Sequence, residues 1–338
     1  MTSTILKRLG VALATVFGAS IFTFVLLRKV PGDPARAIAG DTATDETIAA
    51  LRKSMGLDDN LFVQYGNYMG SLVRGDFGFS YSTGNSVGTL LGQRLPATLE
   101  LGLLSVIIAI VAAVLAASFA VYSRRRWPDK AVRLASSLAM GSPPFWIALL
   151  ALMVLSIQLG IFPGPEGRLS PGMLKPPNVT GMFTVDSLLA GQWATFANAA
   201  WHLLLPATIV ALGPFAFLSR LYRNQLRGTL QETFVAVSRS HGLRRFLVYN
   251  RHVAPHGLLS LLPAASLLFA DLLAGSLLVE KVFGWPGIGS MTADAIIQKD
   301  FAVVQAVLLL AAVLYVVVSL LADFLMTAAD PRTRVGAR

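Results

Sequence analysis

Apolar runs of about bilayer length recur along this 338-residue chain, at roughly 9–27, 98–122, 132–159, 202–221, 258–279 and 302–326. About 20 apolar residues are needed for a helix to cross the hydrocarbon core. Inside lipid, backbone polar groups have no water to turn to, so each run must satisfy its own hydrogen bonds as a helix. Composition agrees: 54% of residues are hydrophobic and only 14% charged, where a soluble domain carries about 25% charged residues. The sequence therefore reads as an all-α integral membrane protein with six transmembrane helices. Cysteine is absent, which excludes disulfides and cysteine-based metal or redox chemistry.

The net charge of +10 raises nucleic acid as a partner, but the basic residues cluster at the ends of apolar runs. Membrane orientation and anionic lipid headgroups explain that placement, with no nucleic acid. Arg124, Arg125, Arg126, Lys130 and Arg133 separate the second and third runs. Arg220, Arg223, Arg227, Arg239, Arg244, Arg245 and Arg251 follow the fourth. Both loops are assigned to the cytoplasm because positive charge stays on that face. Lys7, Arg8 and the basic tail then place both termini inside. The first run competes with a cleaved signal peptide; its length, and small residues that come only after Pro31–Pro34, favour an uncleaved helix.

Three parts follow. Residues 1–29 hold the first transmembrane helix, 30–96 an extracytoplasmic helical segment, and 97–338 a core with five transmembrane helices and the cytoplasmic segment 220–257. In the second part, Thr44 is placed to cap a short helix with Asp45 and Glu46 against its N-terminal dipole. Ile48, Leu51 and Met55 then share a face, and Gly56 stops the helix. Leu61, Tyr65, Tyr68 and Leu72 form a second apolar face. Within the third apolar run, Ser142-Pro143-Pro144-Phe145-Trp146 frees backbone carbonyls, marking either a pore-lining break or a packing kink.

Catalytic signatures are missing. The chain has no G-x-x-x-x-G-K-[ST] loop and no H-E-x-x-H, so neither that ATPase machinery nor a zincin site is encoded. His241, His252 and His256 lack acidic or cysteine companions and read as part of a solvated basic face. Asp271 is the acidic residue placed deepest in an apolar run, where a charge is costly. It either faces a pathway or closes an interhelical hydrogen bond. Glu100, Glu280 and Asp323 fall nearer run ends. A secondary carrier, a membrane enzyme and a receptor are the competing classes, and scarce buried titratable groups argue against the first.

The segment 220–257 has its own pattern. Leu230, Phe234 and Val237 share a helical face, Gly242 permits a sharp turn, and a second helix over 244–253 presents Phe246, Leu247 and Asn250 before Pro255. Two short helices joined at a glycine form either a plug for a groove on a soluble partner or an amphipathic pair on headgroups.

Several stretches together resemble the permease subunits of dipeptide/oligopeptide/nickel ABC importers, the first of the two paired permeases. They are LRKVPGDPAR at 27–36, MGLDDNLFVQYGNYMGSLVRGDFGFS at 55–80, LPATLELG at 95–102, SPPFW at 142–146, FVAVSRSHGL at 234–243, RH at 251–252, VEKVFGWPGIG at 279–289, DAIIQKDFAVVQAVLLL at 294–310 and the closing DPRTR. The resemblance implies the type I importer permease fold, with an extracytoplasmic helical insertion after the first span. It implies a coupling helix formed by Phe234, Ala236, Ser238, Arg239, His241, Gly242, Leu243 and Arg244. The general pattern E-A-A-x-x-x-G is met here by Ala236-Val237-Ser238 leading to Gly242, without the acidic residue, and His241 stands where lysine is usual. Implied partners are a second homologous permease, two cytoplasmic ATP-binding subunits, an extracytoplasmic substrate-binding protein and membrane lipid. No cofactor is expected on this chain; ATP and magnesium would sit on the ATPases. The implied solute is a peptide, with a metal chelate such as nickel as the alternative. Asp271, Pro143, Pro144 and Trp146 are the expected pathway residues.

Overall fold

A computed structural model of the chain describes residues 2–29, 34–39, 43–123 and 125–329. Met1, residues 30–33 and 40–42, Arg124 and the closing 330–338, with its DPRTR sequence, lie outside them. The described residues are mostly helical. Helix α1 (Thr2–Lys29) precedes three short helices, α2 (Pro34–Ala39), α3 (Asp45–Ser54) and α4 (Leu61–Val73). A hairpin follows, β1 (Phe79–Ser80) pairing antiparallel with β2 (Asn85–Ser86). Then come α5 (Val87–Tyr122), α6 (Trp127–Gly141) and α7 (Pro144–Ala151), which continues as a π-helical turn, Leu152–Gln158. Beyond the loop lie α8 (Phe183–Leu189), α9 (Trp193–Thr229), α10 (Thr233–Ser240) and α11 (Arg245–Val248), with a second π-helical turn, Tyr249–Val253. The chain closes with α12 (Ala254–Gly275), α13 (Leu277–Val282), α14 (Ile288–Ile297) and α15 (Phe301–Ala329).

Four helices, α1, α5, α9 and α15, are long and apolar enough to cross a membrane. Counting each of two bent helix pairs as one span brings the number to six. One pair is α6 with α7 and its π turn, bent by 102°. The cause is local: Ser142 and Pro143 are extended, and Pro144 opens the new helix, where a missing N–H does no harm. The third apolar run is thus interrupted by a sharp bend between α6 and α7. The helix that carries the second apolar run begins at Val87, because the polar residues before Thr98 continue the same helix through Pro96.

The chain divides into two compact units. Residues up to Thr98 together with Pro286–Val316 form the first. Its core joins Val87, Leu90 and Leu91 of α5 to Ile288 and Met291 of α14 and to Val303, Ala306 and Val307 of α15. Asp300 fixes the hairpin by accepting hydrogen bonds from Ser80 (2.6 Å) and Ser82 (2.7 Å). The expected Thr44 cap is present, its hydroxyl accepting from the Thr47 N–H, and Gly56 adopts φ +63° after α3. Helix α4 packs on α1 through aromatic contacts of Tyr65 and Tyr68 with Phe24 and a Ser20–Tyr65 hydrogen bond of 2.8 Å. Leu61 is exposed instead of joining that face. Gln64 is buried in its place, bonding Arg28 and the carbonyls of Leu57 and Asp59.

The second unit contains Leu99–Trp285. Ala109, Ala113 and Ala117 on α5 form a buried small-residue stripe, which lets backbones approach where lipid offers no hydrophobic drive. The same core holds Leu218, Tyr222 and Leu226 of α9, Val235 of α10, Val248 and Val253. Gly257 of α12 lies against Tyr222, whose hydroxyl donates to the Ala254 carbonyl at 3.3 Å.

Candidate functional site

Two constellations in the second unit carry charge or exposed apolar surface in a defined geometry. The first is the turn between α10 and α11. Helix α9 runs on to Thr229 and is capped at Leu230, so α10 begins only at Thr233. The expected face of Leu230, Phe234 and Val237 therefore does not exist as one helical stripe. Val235 points into the core instead, while Phe234 and Val237 remain exposed. Gly242 adopts φ +76°, in the left-handed region that favours glycine. A side chain there would meet nothing within 4 Å.

The other coupling candidates surround that glycine. The hydroxyl of Ser238 donates to the Phe234 carbonyl at 2.7 Å, and His241 bonds through Nδ1 to the Val237 carbonyl at 2.8 Å. Ala236 and Arg244 are exposed, and Arg244 stands at the N-terminus of α11. The side chain of Arg239 lies outside the described residues. Phe234, Val237, Leu243, Phe246 and Leu247 are all exposed, Phe246 by 64%. Arg245 anchors the far side of the turn: its guanidinium donates to the Tyr122 carbonyl at 2.7 Å and stacks over the Tyr122 ring. Pro255 does not end the second helix. The π turn lets the Ala254 N–H reach back to Tyr249, and the chain continues into α12, where Pro255 occupies the first turn.

The pathway candidates occupy two elements. Pro143 and Pro144 open α7, and Trp146 on its first turn is half exposed. Asp271 lies on α12 with its side chain exposed. Helices α7 and α12 both pack against α9. Among the described residues, no hydrogen bond or ion pair joins Asp271 to the α7 group.

The second constellation was not anticipated. Arg168, from the Gly- and Pro-rich loop, is buried and paired with Glu100 of α5. Its guanidinium also donates to the Gly181 carbonyl at 2.9 Å and lies 3.6 Å from the Phe183 ring centroid. The remaining Glu100 oxygen accepts from the backbone N–H and the hydroxyl of Thr184, at 2.7 and 2.6 Å. Burial lowers the Arg168 pKa, and the charge of Glu100 opposes that shift. Asp186 is 1% exposed. Burial pushes its carboxyl up, but hydrogen bonds from Thr180, Gly181 and Val179 outweigh this and hold it below the usual range. Glu280 is also fully buried and accepts from Ser276 at 2.9 Å. Among the described residues, the acids sequestered by protein are Glu100, Asp129, Asp186, Glu280 and Asp300, whereas Asp271 is exposed. The sequence offered one signal: an isolated acid at a span end, and an isolated base in a loop otherwise poor in charge.

With this geometry in place, comparison with known proteins decides the family. Residues 79–335 match the family described as binding-protein-dependent transport system inner membrane component. Residues 1–102 match its N-terminal companion. The chain belongs to this family. It is a multi-pass inner-membrane component of a binding-protein-dependent transport system. A di/tripeptide transport system permease protein of Pseudomonas aeruginosa (strain UCBPP-PA14) is 36% identical over 99% of both chains. A putative peptide transport system permease protein of Brucella abortus (strain 2308) is 34% identical over 99% of both. A probable D,D-dipeptide transport system permease protein of Escherichia coli (strain K12) is 34% identical over 94% of this chain and 93% of its own. Among solved structures, an amino acid ABC transporter crystallised with histidines aligns over 72% of this chain and 94% of that chain, with a TM-score of 0.45 and 18% identity.

Proposed function

We propose that this permease forms half of the transmembrane pathway of an ATP-driven importer, and that its solute is a peptide. One observation carries the peptide reading. Relatives that match 34–36% of its residues over nearly their full length are named for peptide, D,D-dipeptide and di/tripeptide transport. The second half of the pathway would be a homologous permease. Two cytoplasmic ATPases would supply ATP and magnesium, and this chain would carry neither an ATP site nor catalysis of its own.

In this reading both termini and the segment 220–257 face the cytoplasm, where positive charge is retained. The exposed residues around Gly242 would slot into the ATPase. Val237, Leu243 and Phe246 give the apolar contact, and His241 and Arg244 give the polar rim. An external energy source shifts a two-state pore only through differential contacts with its two states. A projecting turn on a packed base suits this role: Val235, Val248 and Val253 tie it to the core, so a push on the turn reaches α9 and α12. The break at Pro143–Pro144, with Trp146, and the exposed carboxylate of Asp271 would border the pathway, where Asp271 suits a peptide amino terminus.

The test is to purify the chain with its companions, identify them, and screen the binding protein against peptide pools by thermal shift. Stabilisation by peptides and recovery of two ATPases with a second permease are expected. Copurification without an ATPase, or stabilisation by a metal chelate alone, would contradict the proposal.

A further inference from the structure

Helices α6 and α9 border a small, partly open cavity lined by serines, arginines and Val132. Its volume is about 140 Å³, and its polar lining is Arg133, Ser136, Ser137, Ser219, Arg220 and Arg223. A cavity of this kind takes several waters or one compact polar group. The serines explain why it exists. Ser136 and Ser219 are buried and hydrogen-bonded to each other at 2.9 Å, so the helices meet there through short side chains and leave space beside the contact.

Charge is unbalanced around this space. Asp129 takes Arg133 at 3.0 Å, Arg223 at 3.2 Å and Arg227 at 2.8 Å. Arg220 has no ion pair among the described residues; its guanidinium reaches only the Met140 sulfur, at 3.5 Å. One carboxylate therefore faces four guanidinium groups. Arg223 is 9% exposed, and its Nε, shielded from solvent, has no acceptor among the described residues. Buried donors are nearly always satisfied; the Arg223 guanidinium meets Asp129 through Nη1 alone, so its free Nε can still take an anionic acceptor. Arginine suits a phosphate because its planar fork matches two oxygens at once.

Depth in the membrane narrows the source. Helix α9 is a spanning helix, and Arg220, Arg223 and Arg227 lie towards its C-terminal end. On α6, Trp127 is 56% exposed and packs edge-on against Phe119, an amphipathic ring of the kind enriched at the headgroup level. Basic pockets between spanning helices are suited to acidic headgroups. We infer that the Arg133–Arg220–Arg223 cavity binds a phosphate group, presented by the headgroup of an anionic phospholipid. The site rests on the chain's place in a membrane and not on the identity of the transported solute.

The complex, delipidated in neutral detergent, can be titrated with phosphatidylglycerol or with phosphatidylcholine of matched acyl chains and read by native mass spectrometry. Arg220→Gln removes an exposed side chain with no ion pair, and Ser137→Asp puts a competing carboxylate at the rim. Phosphatidylglycerol is expected to be retained over phosphatidylcholine, and each variant to weaken that retention about tenfold, the scale of one charged hydrogen bond. A parallel titration with inorganic phosphate separates the sources. If phosphate alone binds, and Arg220→Gln abolishes it, the phosphate chemistry stands with a soluble donor. Equal retention of the two lipids with no phosphate binding, or wild-type retention in both variants, would overturn the inference.

Discussion

Arg168 and Glu100 form a buried ion pair that ties the loop before α8 to the membrane-spanning helix α5. Both side chains are largely shielded from water, so removing one partner strands the other. Arg168→Met is expected to cost about 3–5 kcal/mol. It should lower the melting temperature of the purified complex more than Arg168→Met with Glu100→Gln, where no charge is left unpaired. Equal melting temperatures for the single and double variants would show that the pair is not coupled.

Asp186 gives the same loop a pH limit. Its carboxyl is held below the usual range by donors from Thr180, Gly181 and Val179. A depressed folded-state pKa contributes stability that is fully present above the unfolded value of about 3.9 and is lost as pH falls through the lower folded value. Melting curves should therefore be flat in this contribution near neutrality and fall below about pH 4. Asp186→Asn should lower stability at pH 7 and flatten the acid limb. An unchanged acid limb would remove Asp186 from the explanation.

Gly257 and Gly242 should respond differently to alanine. A side chain on Gly257 would begin 2.6 Å from Cε2 of Tyr222, a ring with no exposed surface. Gly257→Ala is expected to cost about 1–3 kcal/mol through overpacking, and Tyr222→Leu should recover part of it. Gly242→Ala meets no atom within 4 Å and carries only the left-handed backbone cost, about 1–2 kcal/mol, confined to an exposed turn. A larger melting shift for Gly242→Ala than for Gly257→Ala would contradict this ordering.

Much of this architecture was legible in the sequence because bilayer length and charge asymmetry act over whole segments. Apolar runs announce spans, and the Thr44 cap and the Gly242 turn follow from local backbone chemistry. The rest depended on contacts distant in sequence. Helical spacing grouped Phe234 with Val237, but it could not show that α9 continues to Thr229, which rotates Val235 into the core. Hydropathy made Asp271 the deepest acid, while Glu100 is sequestered by Arg168 and Thr184, residues that no window on the chain connects to it. Likewise Gln64, polar in isolation, is buried because Arg28 and two carbonyls satisfy it.

The most direct measurement is paired ATP hydrolysis and peptide uptake by the complete complex in proteoliposomes, comparing wild type with Gly242→Val. Gly242 sits at φ +76° with open space around it, so the substitution distorts the turn while leaving the packed base in place. If the turn transmits the ATPase stroke, uptake should fall at least tenfold while the complex stays assembled and keeps hydrolysing ATP. Uptake near the wild-type rate in Gly242→Val, or accumulation of peptide against a gradient by this subunit with no ATPase present, would contradict it.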